Sequence, residues 1–310
     1  MLLAFLTVGK QVLILFLLIA VGFVLGKARL IGDQGSANMS TLVMYVVSPC
    51  MMIVAFQRAL VKSDLRDFGI AVVMAIVIHV ISIVLGAVFL RRGDPTHVHA
   101  WRFATVFSNC GFMGYPMMTA LLGTIGVFYG SAYVVVFQVM AWTWGVYALT
   151  GDKSRLSWKP ILLNPAVISV PIAMALYLLQ VSLPEVIYTP IKYLSELNTP
   201  LPMVVVGYQL SHANVSVAIK GAGNWIVFVL RLIVMPLVSI GLCLALHLNP
   251  TVSMVLCIAS SAPPAALLSM FSTRFGGDKE LASSLMSVHT ALSVLTMPVM
   301  VGLGQYLLVG

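Results

Sequence analysis

Long apolar runs, separated by short clusters of charged residues, glycine and proline, divide the chain into regular segments. Each run is close to the roughly 20 residues that a helix needs to cross a bilayer. The runs are almost continuously apolar and do not alternate between apolar and polar positions, so they predict helices and not barrel strands. The ten predicted spans lie at about residues 8–30, 39–57, 69–90, 101–122, 125–149, 161–181, 193–211, 222–246, 252–273 and 281–309. The predicted fold class is an all-α polytopic membrane protein.

The composition points to the same class. Of the 310 residues, 60% are hydrophobic and only 8% are charged, whereas about 25% are charged in typical soluble domains. Ten spans leave no room for a sizeable soluble domain. The four cysteines lie within apolar runs and lack metal-ligand or redox spacing, so the sequence predicts no disulfide, no metal site and no cofactor.

Lysine and arginine residues fall unevenly on the two sides of the predicted spans. With the amino terminus placed outside, the outer loops carry five of them. The inner loops carry eleven, namely Lys27, Arg29, Arg91, Arg92, Arg102, Lys153, Arg155, Lys159, Lys220, Arg274 and Lys279. Basic residues favour the cytoplasmic side, so we expect both termini outside the plasma membrane, here a bacterial inner membrane. The formal charge of +8 is then an orientation signal, and we expect the lipid bilayer as a partner and no nucleic acid.

The chain matches itself when it is shifted by 152 positions, which divides it into residues 1–150, a short linker at 151–160 and residues 161–310. The superimposed residues include Phe56 and Gln57 on Tyr208 and Gln209, Ser108 on Ser260, His79 on Arg231, and Pro49 within one residue of Pro200 and Pro202. Five spans per half make the second half enter the bilayer in the opposite direction. We therefore expect two inverted five-helix repeats, an architecture that secondary transporters share.

Two predicted spans, the fourth and the ninth, break helical rules at repeat-related positions. Glycine and proline interrupt both near their middle, and proline lacks the N–H that a helix needs. Freed backbone at membrane depth must line a cavity or be buried in protein, and the positive ends of half-helices favour an anionic group. The candidate substrate-binding residues in these segments are Asn109, Gly111, Phe112, Gly114, Tyr115, Pro116, Ser260, Ser261, Pro263 and Pro264.

Three titratable residues within the spans are candidates for support of the crossing or for coupling. Arg231 is a charge in the middle of the eighth predicted span, where a charge costs at least about 2.5 kcal/mol unless it is compensated. It either contacts an anionic substrate or neutralises carbonyl ends of the broken helices, and its repeat partner His79 favours the second role. His289 either carries protons or makes a hydrogen bond between helices.

Further candidates lie in the second and seventh predicted spans, which both contain proline. Gln57 and Gln209 end these spans, and their amides either bind substrate or cap helix ends. Pro49 and Pro200 can kink the two helices beside the pocket. The aromatic stretch at residues 142–147 is typical of an anchor at the membrane interface.

Taken together, several segments resemble the auxin efflux carrier family over essentially the whole chain. The matching segments are residues 109–116, 262–266 with 271–278, and 198–200 ahead of 207–210. The resemblance implies that helices 1, 2, 6 and 7 form a scaffold and that helices 3–5 and 8–10 form a transport domain. It also implies that helices 4 and 9 cross at Pro116 and at Pro263 or Pro264, with a substrate carboxylate nearby. An elevator-like movement would give alternating access, and a homodimer is expected as in plant members.

The substrate implied by the resemblance is a small organic anion. Plant auxin exporters carry an Asn-Pro-Asn arrangement at the crossing, whereas this chain has Tyr115, Pro116 and Met117. The long cytoplasmic loop of many plant members is also reduced to residues 151–160. Both departures favour a bacterial-type carrier of a carboxylate such as malonate over a carrier of auxin itself.

Three other functional classes fit the sequence less well. A sodium-coupled symporter of the bile-acid type shares this fold, but no Asp or Glu is predicted deep inside a span. A membrane-embedded enzyme is not expected, because no HExxH, no GxSxG and no paired aspartates occur within the spans. A receptor would need a signalling domain, for which the chain has no room.

Overall fold

The computed structural model describes residues 2–152, 154, 156 and 159–309, and these residues fold almost entirely as helices. Its fifteen helices are α1 (Leu2–Lys27), α2 (Asp33–Phe56), α3 (Lys62–Phe89), α4 (Pro95–Val106), α5 (Cys110–Leu122), α6 (Thr124–Thr150), α7 (Lys159–Leu162), α8 (Pro165–Leu178), α9 (Glu185–Glu196), α10 (Pro200–Ser211), α11 (Val215–Ile219), α12 (Ala222–Ala245), α13 (Pro250–Ser261), α14 (Leu267–Phe275) and α15 (Lys279–Leu308). Within the described part of the chain, β pairing is limited to one isolated bridge between Ser108 and Pro264.

Six of these helices are long and apolar enough to cross a membrane. They are α1, α2, α3, α6, α12 and α15, and shorter apolar helices lie at Cys110–Leu122, Val167–Leu178 and Pro250–Ser261. The predicted class, an all-helical protein of the membrane, is confirmed at this level.

The faces of α3 show how such a helix divides its residues. Val73 and Val84 are more than half exposed, and they lie on the same stripe as the exposed Ile76 and Val80. The opposite face buries small and apolar residues, among them Ala75. An outward apolar stripe opposite a packed stripe suits a helix that faces lipid on one side, because lipid tails solvate apolar side chains.

Three prolines inside the helices are each preceded by one widened turn with i to i+5 hydrogen bonding, whereas Pro298 lies in α15 without such a turn. Such turns lie at Val43–Val47, Cys110–Gly114 and Leu230–Val234, and each ends two residues before a proline. Proline cannot donate a backbone hydrogen bond and its ring clashes with the preceding turn, so a wider turn relieves both problems. The helices therefore continue through Pro49, Pro116 and Pro236.

Several helix boundaries differ from the predicted ones. The structure adds α9, a helix of 12 residues that was predicted largely as loop. Residues 197–199 then form a turn, and Pro200 begins α10. Three other helices, α2, α3 and α4, begin about six residues earlier than predicted. The physical reason is that these helices extend beyond their apolar runs into polar segments, where hydropathy does not mark the start of a helix. Local caps set the start instead, and at α4 the Thr96 N–H donates to the Asp94 side chain at 2.9 Å.

Close packing joins helices from the two halves of the chain. A Cβ added to Gly22 of α1 would lie 2.1 Å from the Val204 oxygen of α10, and one added to Gly207 would lie 2.0 Å from the Ile19 oxygen. The backbones of α1 and α10 therefore touch, as small residues allow in membranes. Helices α8 and α9 pack in turn on α2, while α13 packs on α6, α12 and α15.

Candidate functional site

The two predicted breaks meet, and their backbones are hydrogen-bonded to each other. The Asn109 N–H donates to the Pro263 oxygen at 2.7 Å, and the Ala265 N–H donates to the Phe107 oxygen at 2.9 Å. Phe107 and Ala262 leave their helices with extended ψ angles of 110° and 144°. The segments between α4 and α5 and between α13 and α14 thus cross as a short antiparallel pair, which we call the crossing.

Local sequence explains why the chain unwinds at the crossing. Consecutive prolines at 263 and 264 offer no N–H to a helix, yet the Pro263 carbonyl can still accept a hydrogen bond across the crossing. On the other strand, the Asn109 side-chain oxygen accepts from the Phe112 N–H at 3.3 Å and caps the start of α5. Asparagine is among the preferred residues at this position.

A cavity of about 960 Å³ lies on one side of the crossing. The starts of α5 and α14 both reach it, through Asn109 and Gly111 and through Ala266 and Leu267. Helix starts carry free N–H groups and the positive end of the helix dipole, so this face of the crossing favours a negative group. The cavity wall on α2 consists of Ala37, Ser40, Thr41, Met44, Tyr45, Ser48 and Met52, and the wall on α6 consists of Val134, Phe137, Gln138 and Trp142.

The structure brings only part of the predicted binding set to this cavity. The predicted residues that line it are Asn109, Gly111, Phe112, Tyr115 and Gln209. The buried Asn109 Nδ2 and the buried Gln209 Oε1 have no hydrogen-bond partner among the described residues. An unpartnered buried amide is costly, and a ligand in the cavity could satisfy it.

Other predicted residues lie at or near the crossing without lining the cavity. Pro263 and Pro264 belong to it, whereas Ser260 and Ser261 end α13. Pro116 lies within α5, so the first segment crosses at residues 107–109 and not at this proline. Gly114, Pro116, Pro263 and Pro264 are buried. The Ser260 and Ser261 hydroxyls bond to their own helix, at the Leu256 and Cys257 oxygens, both at 2.7 Å. These six residues shape the backbone in this structure. Pro49 and Pro200 are half-buried in α2 and at the start of α10, and neither lines the cavity.

Gln57 lies apart from the cavity. Its side-chain nitrogen donates to the Val181 oxygen at 3.1 Å, and its side-chain oxygen accepts from the Leu183 N–H at 3.0 Å. The amide therefore holds the chain that follows α8 against the end of α2. Of the two repeat-related glutamines, only Gln209 reaches the cavity.

Several residues that line the cavity were not predicted from the sequence. Gln138 interrupts an apolar run inside α6, and its buried Oε1 has no hydrogen-bond partner in the described part of the chain. A lone polar residue inside a span is a signal that could have found it. Trp142 corrects the expectation of an interfacial anchor, since it is only 9% exposed and packs edge-on against Phe271, with ring centroids 4.7 Å apart. The Arg274 guanidinium lies 5.6 Å from the centre of the Trp142 ring at the cavity edge.

The opposite face of the crossing holds a buried cation. Arg231, on the widened turn of α12, is fully buried. Its Nη1 donates to the Thr105 and Val106 oxygens at 3.2 and 3.4 Å, and its Nη2 donates to the Ser260 oxygen. These carbonyls belong to the last two residues of α4 and to the next-to-last residue of α13, where the helix dipole is negative and favours a cation. The contacts favour the support role for Arg231, which stays a prediction.

The two histidines make different contacts. His79 lies beside the crossing, with its ring centroid 5.1 Å from that of Tyr133, and its Nδ1 is 2.7 Å from the Ala75 oxygen. His289 lies away from the cavity, where its Nε2 is 3.3 Å from the Asn224 oxygen and so links α15 to α12. A coupling role for either histidine stays a prediction.

A polar network that the sequence did not reveal lies at the end of α2 and the starts of α3 and α6. Arg58 pairs with Asp64 at 2.8 Å, and the Tyr129 hydroxyl donates to the same carboxylate at 3.1 Å. The buried Asp67 accepts from Asn249 at 2.8 Å. This network ties the end of α2 to α3 and α6 on the side away from Arg274.

Comparisons with known proteins agree with the membrane architecture. A family model described as membrane transport protein matches residues 7–156 and again residues 152–301. The chain is similar to an uncharacterized transporter of Methanothermobacter thermautotrophicus, with 22% identity over 93% of this chain and 96% of the relative. It is also similar to an uncharacterized transporter of Methanocaldococcus jannaschii, with 23% identity over 92% of this chain and 94% of the relative.

Proposed function

The chain belongs to the membrane transport protein family, the auxin efflux carrier family that its motifs resemble, and from this premise we propose that it is a secondary carrier of a small organic anion. The observation that carries the proposal is that two half-helix starts, α5 and α14, face one cavity at the crossing. Two positive helix ends and the unpartnered Asn109 amide suit a carboxylate. Malonate is the first small carboxylate to be tested.

The architecture proposed for this carrier is ten spans in two inverted repeats. The offset of 152 residues places the start of α2 on the start of α9, since Asp33 falls on Glu185. It also places the widened turn at 110–114 on residues 262–266, which include the non-helical part of the second break. These coincidences support a scaffold built from α1, α2 and α8 to α10, with α3 to α6 and α12 to α15 as the transport domain.

The position of the cavity supports the proposal of alternating access. Its wall runs between α2, on the scaffold, and the crossing, on the transport domain. Lys159 and Arg274 lie at its edge, and both belong to the side that carries more basic residues. In the proposed topology, the protein lies in the plasma membrane with both termini outside. The cavity then opens to the cytoplasm, and the Arg58–Asp64 pair joins the two domains on the outer side. An elevator-like movement of the crossing past α2 would reverse this arrangement.

A second candidate is a sodium-coupled symporter of the bile-acid type. The observation in its favour is that the Ser108 and Tyr133 hydroxyls are buried near the crossing without a hydrogen-bond partner among the described residues. Hydroxyl and carbonyl oxygens are sodium ligands in transporters with broken helices. Sodium dependence of uptake separates the two candidates.

The proposed function is tested by uptake of radiolabelled malonate and other small carboxylates into proteoliposomes that contain the purified protein. We expect saturable uptake of at least one carboxylate, and weaker uptake by Asn109→Ala reconstituted at the same density. Gln57→Ala is the matched control, because its amide lies away from the cavity. Crosslinking in the same membranes tests the expected homodimer. Absence of specific flux and of ligand-induced stabilisation across a carboxylate panel would contradict the proposal.

A further inference from the structure

The buried guanidinium of Arg231 occupies a position that a bound cation could otherwise fill. It contacts carbonyls in the last turns of two different half-helices, Thr105 and Val106 of α4 and Ser260 of α13. In secondary transporters with broken helices, unwound carbonyls and half-helix carboxyl ends are the groups that coordinate the coupling ion. Here a side chain of the protein already supplies the positive charge.

The charge of Arg231 is matched by carbonyl groups and not by an acid. Among the described residues, the ion pairs of arginine and histidine with acids are Arg58 with Asp64, Arg66 with Asp67 and His97 with Asp278. None of them involves Arg231. A fully buried arginine without a carboxylate needs other compensation, and the negative ends of α4 and α13 provide it.

We propose that Arg231 is a resident cation that takes the place of a coupling metal ion at the crossing, so that the carrier binds and moves its anion without sodium. This inference rests on the proposed carrier function and decides between its two candidates. A second cation beside the guanidinium would be repelled in a medium of low dielectric constant. The half-helix starts on the opposite face remain free for the anion.

The repeat relation explains why one arginine is enough. The position that corresponds to Arg231 in the first half is occupied by His79, which is also buried beside the crossing. Because the crossing brings both half-helix ends together, a single planar guanidinium reaches carbonyls from both halves. Arginine presents five N–H donors in a fixed fork, whereas a lysine would place one compact charge there.

The wild-type protein gives the first test. Malonate affinity and malonate uptake are measured with sodium, potassium or N-methylglucamine as the only monovalent cation, at constant ionic strength. We expect values that agree within about twofold, because no metal ion completes the site. A loss of about tenfold or more when sodium is removed, equal to roughly 1.4 kcal/mol, would overturn the proposal.

Variants of Arg231 give the second test, which does not depend on substrate. Arg231→Gln removes the charge, and we expect its melting temperature to rise with low-millimolar guanidinium, because the free ion binds the vacated carbonyls. Urea at the same concentration has a similar shape and no charge, so it should give no rise. Arg102→Gln is the matched control, since Arg102 donates to the Leu90 oxygen at 3.1 Å outside the crossing. Equal responses in Arg231→Gln, Arg102→Gln and the wild type would contradict a resident cation.

A third variant covers the case in which Arg231→Gln does not fold. Arg231→Lys keeps the charge, and we expect it to fold and to bind malonate more weakly, still without sodium dependence. If Arg231→Lys and Arg231→Gln behave alike, the charge does not matter and the proposal fails.

Failure of the inference and failure of the proposed function give different results. If uptake of malonate requires sodium, the carrier function stands and the resident-cation proposal falls. If no carboxylate is transported, the carrier function falls, while the melting response of Arg231→Gln to guanidinium still reports on the resident cation.

Discussion

The two faces of the crossing use the same backbone break for opposite electrostatic purposes. On one face, the starts of α5 and α14 point their N–H ends toward a cavity of about 960 Å³. On the other face, the ends of α4 and α13 point their carbonyls at Arg231, which is fully buried. The difference teaches that a broken helix pair has one face that favours an anion and one that favours a cation, and in the proposed carrier only the first face is left for a ligand.

The largest effect is expected when the Arg231 side chain is removed from the crossing. Arg231→Ala leaves several buried carbonyls without a donor, at about 1–3 kcal/mol for each group, so we expect a loss of roughly 3 kcal/mol or more of stability together with loss of transport. Thermal unfolding of the purified protein and its expression level measure this. A variant with wild-type stability that loses only malonate affinity would show instead that Arg231 contacts the substrate.

A smaller effect, mainly on binding, is expected on the face of the crossing that lines the cavity. Asn109→Ala removes the unpartnered amide at the cavity together with one cap on α5. We expect malonate affinity to fall about tenfold, as for the loss of one or two hydrogen bonds, with a stability loss of only about 1 kcal/mol. Isothermal titration and thermal unfolding on the same sample separate the two effects. Wild-type affinity in this variant would remove Asn109 from the site.

The glycines of α5 offer a test of which surface the ligand uses. A Cβ at Gly111 would meet no protein atom within 4 Å, whereas one at Gly114 would make ordinary contacts at 3.5 Å with Cys110. Gly111→Ala should therefore fold normally and place a methyl group in the cavity, lowering malonate affinity several-fold. Gly114→Ala is the matched control with little change in affinity. Equal affinities for both variants would place the ligand elsewhere.

The smallest effects should distinguish the two glutamines. Gln209→Ala alters the cavity wall, so we expect about a threefold loss of malonate affinity, less than for a full hydrogen bond. Gln57→Ala should leave affinity unchanged and cost at most about 1 kcal/mol of stability, because its two hydrogen bonds hold a partly exposed loop. Titration and melting curves measure both quantities. An affinity loss in Gln57→Ala would mean that the loop after α8 reports on the binding state.

Local signals explain what could be predicted from the sequence. Asn109 and Gly111 were found because asparagine and glycine inside an apolar run violate helical preferences at that very position. The consecutive prolines after Ala262 are a signal of the same kind. Such rules act within a few residues, so the chain itself reveals them before any tertiary contact forms.

Tertiary contacts explain what the sequence did not reveal. Ser40 and Trp142 line the cavity only because α2 and α6 pack around the crossing, and nothing near them in the chain marks that face. Helix α9 was missed because amphipathic interface segments lack the apolar length that marks a span. Gln57 and Gln209 share a repeat position, yet only the packed structure shows that one of them faces a loop and the other a cavity.

The most direct test of the anion site is malonate binding to Asn109→Asp, compared with the wild type at neutral pH. The substitution keeps the shape and the oxygen that caps α5, and it adds a negative charge beside the two helix starts. If this face holds a carboxylate, the added charge should abolish measurable binding while thermal stability stays close to that of the wild type. Undiminished malonate binding in a folded Asn109→Asp variant would contradict the anion site at the crossing.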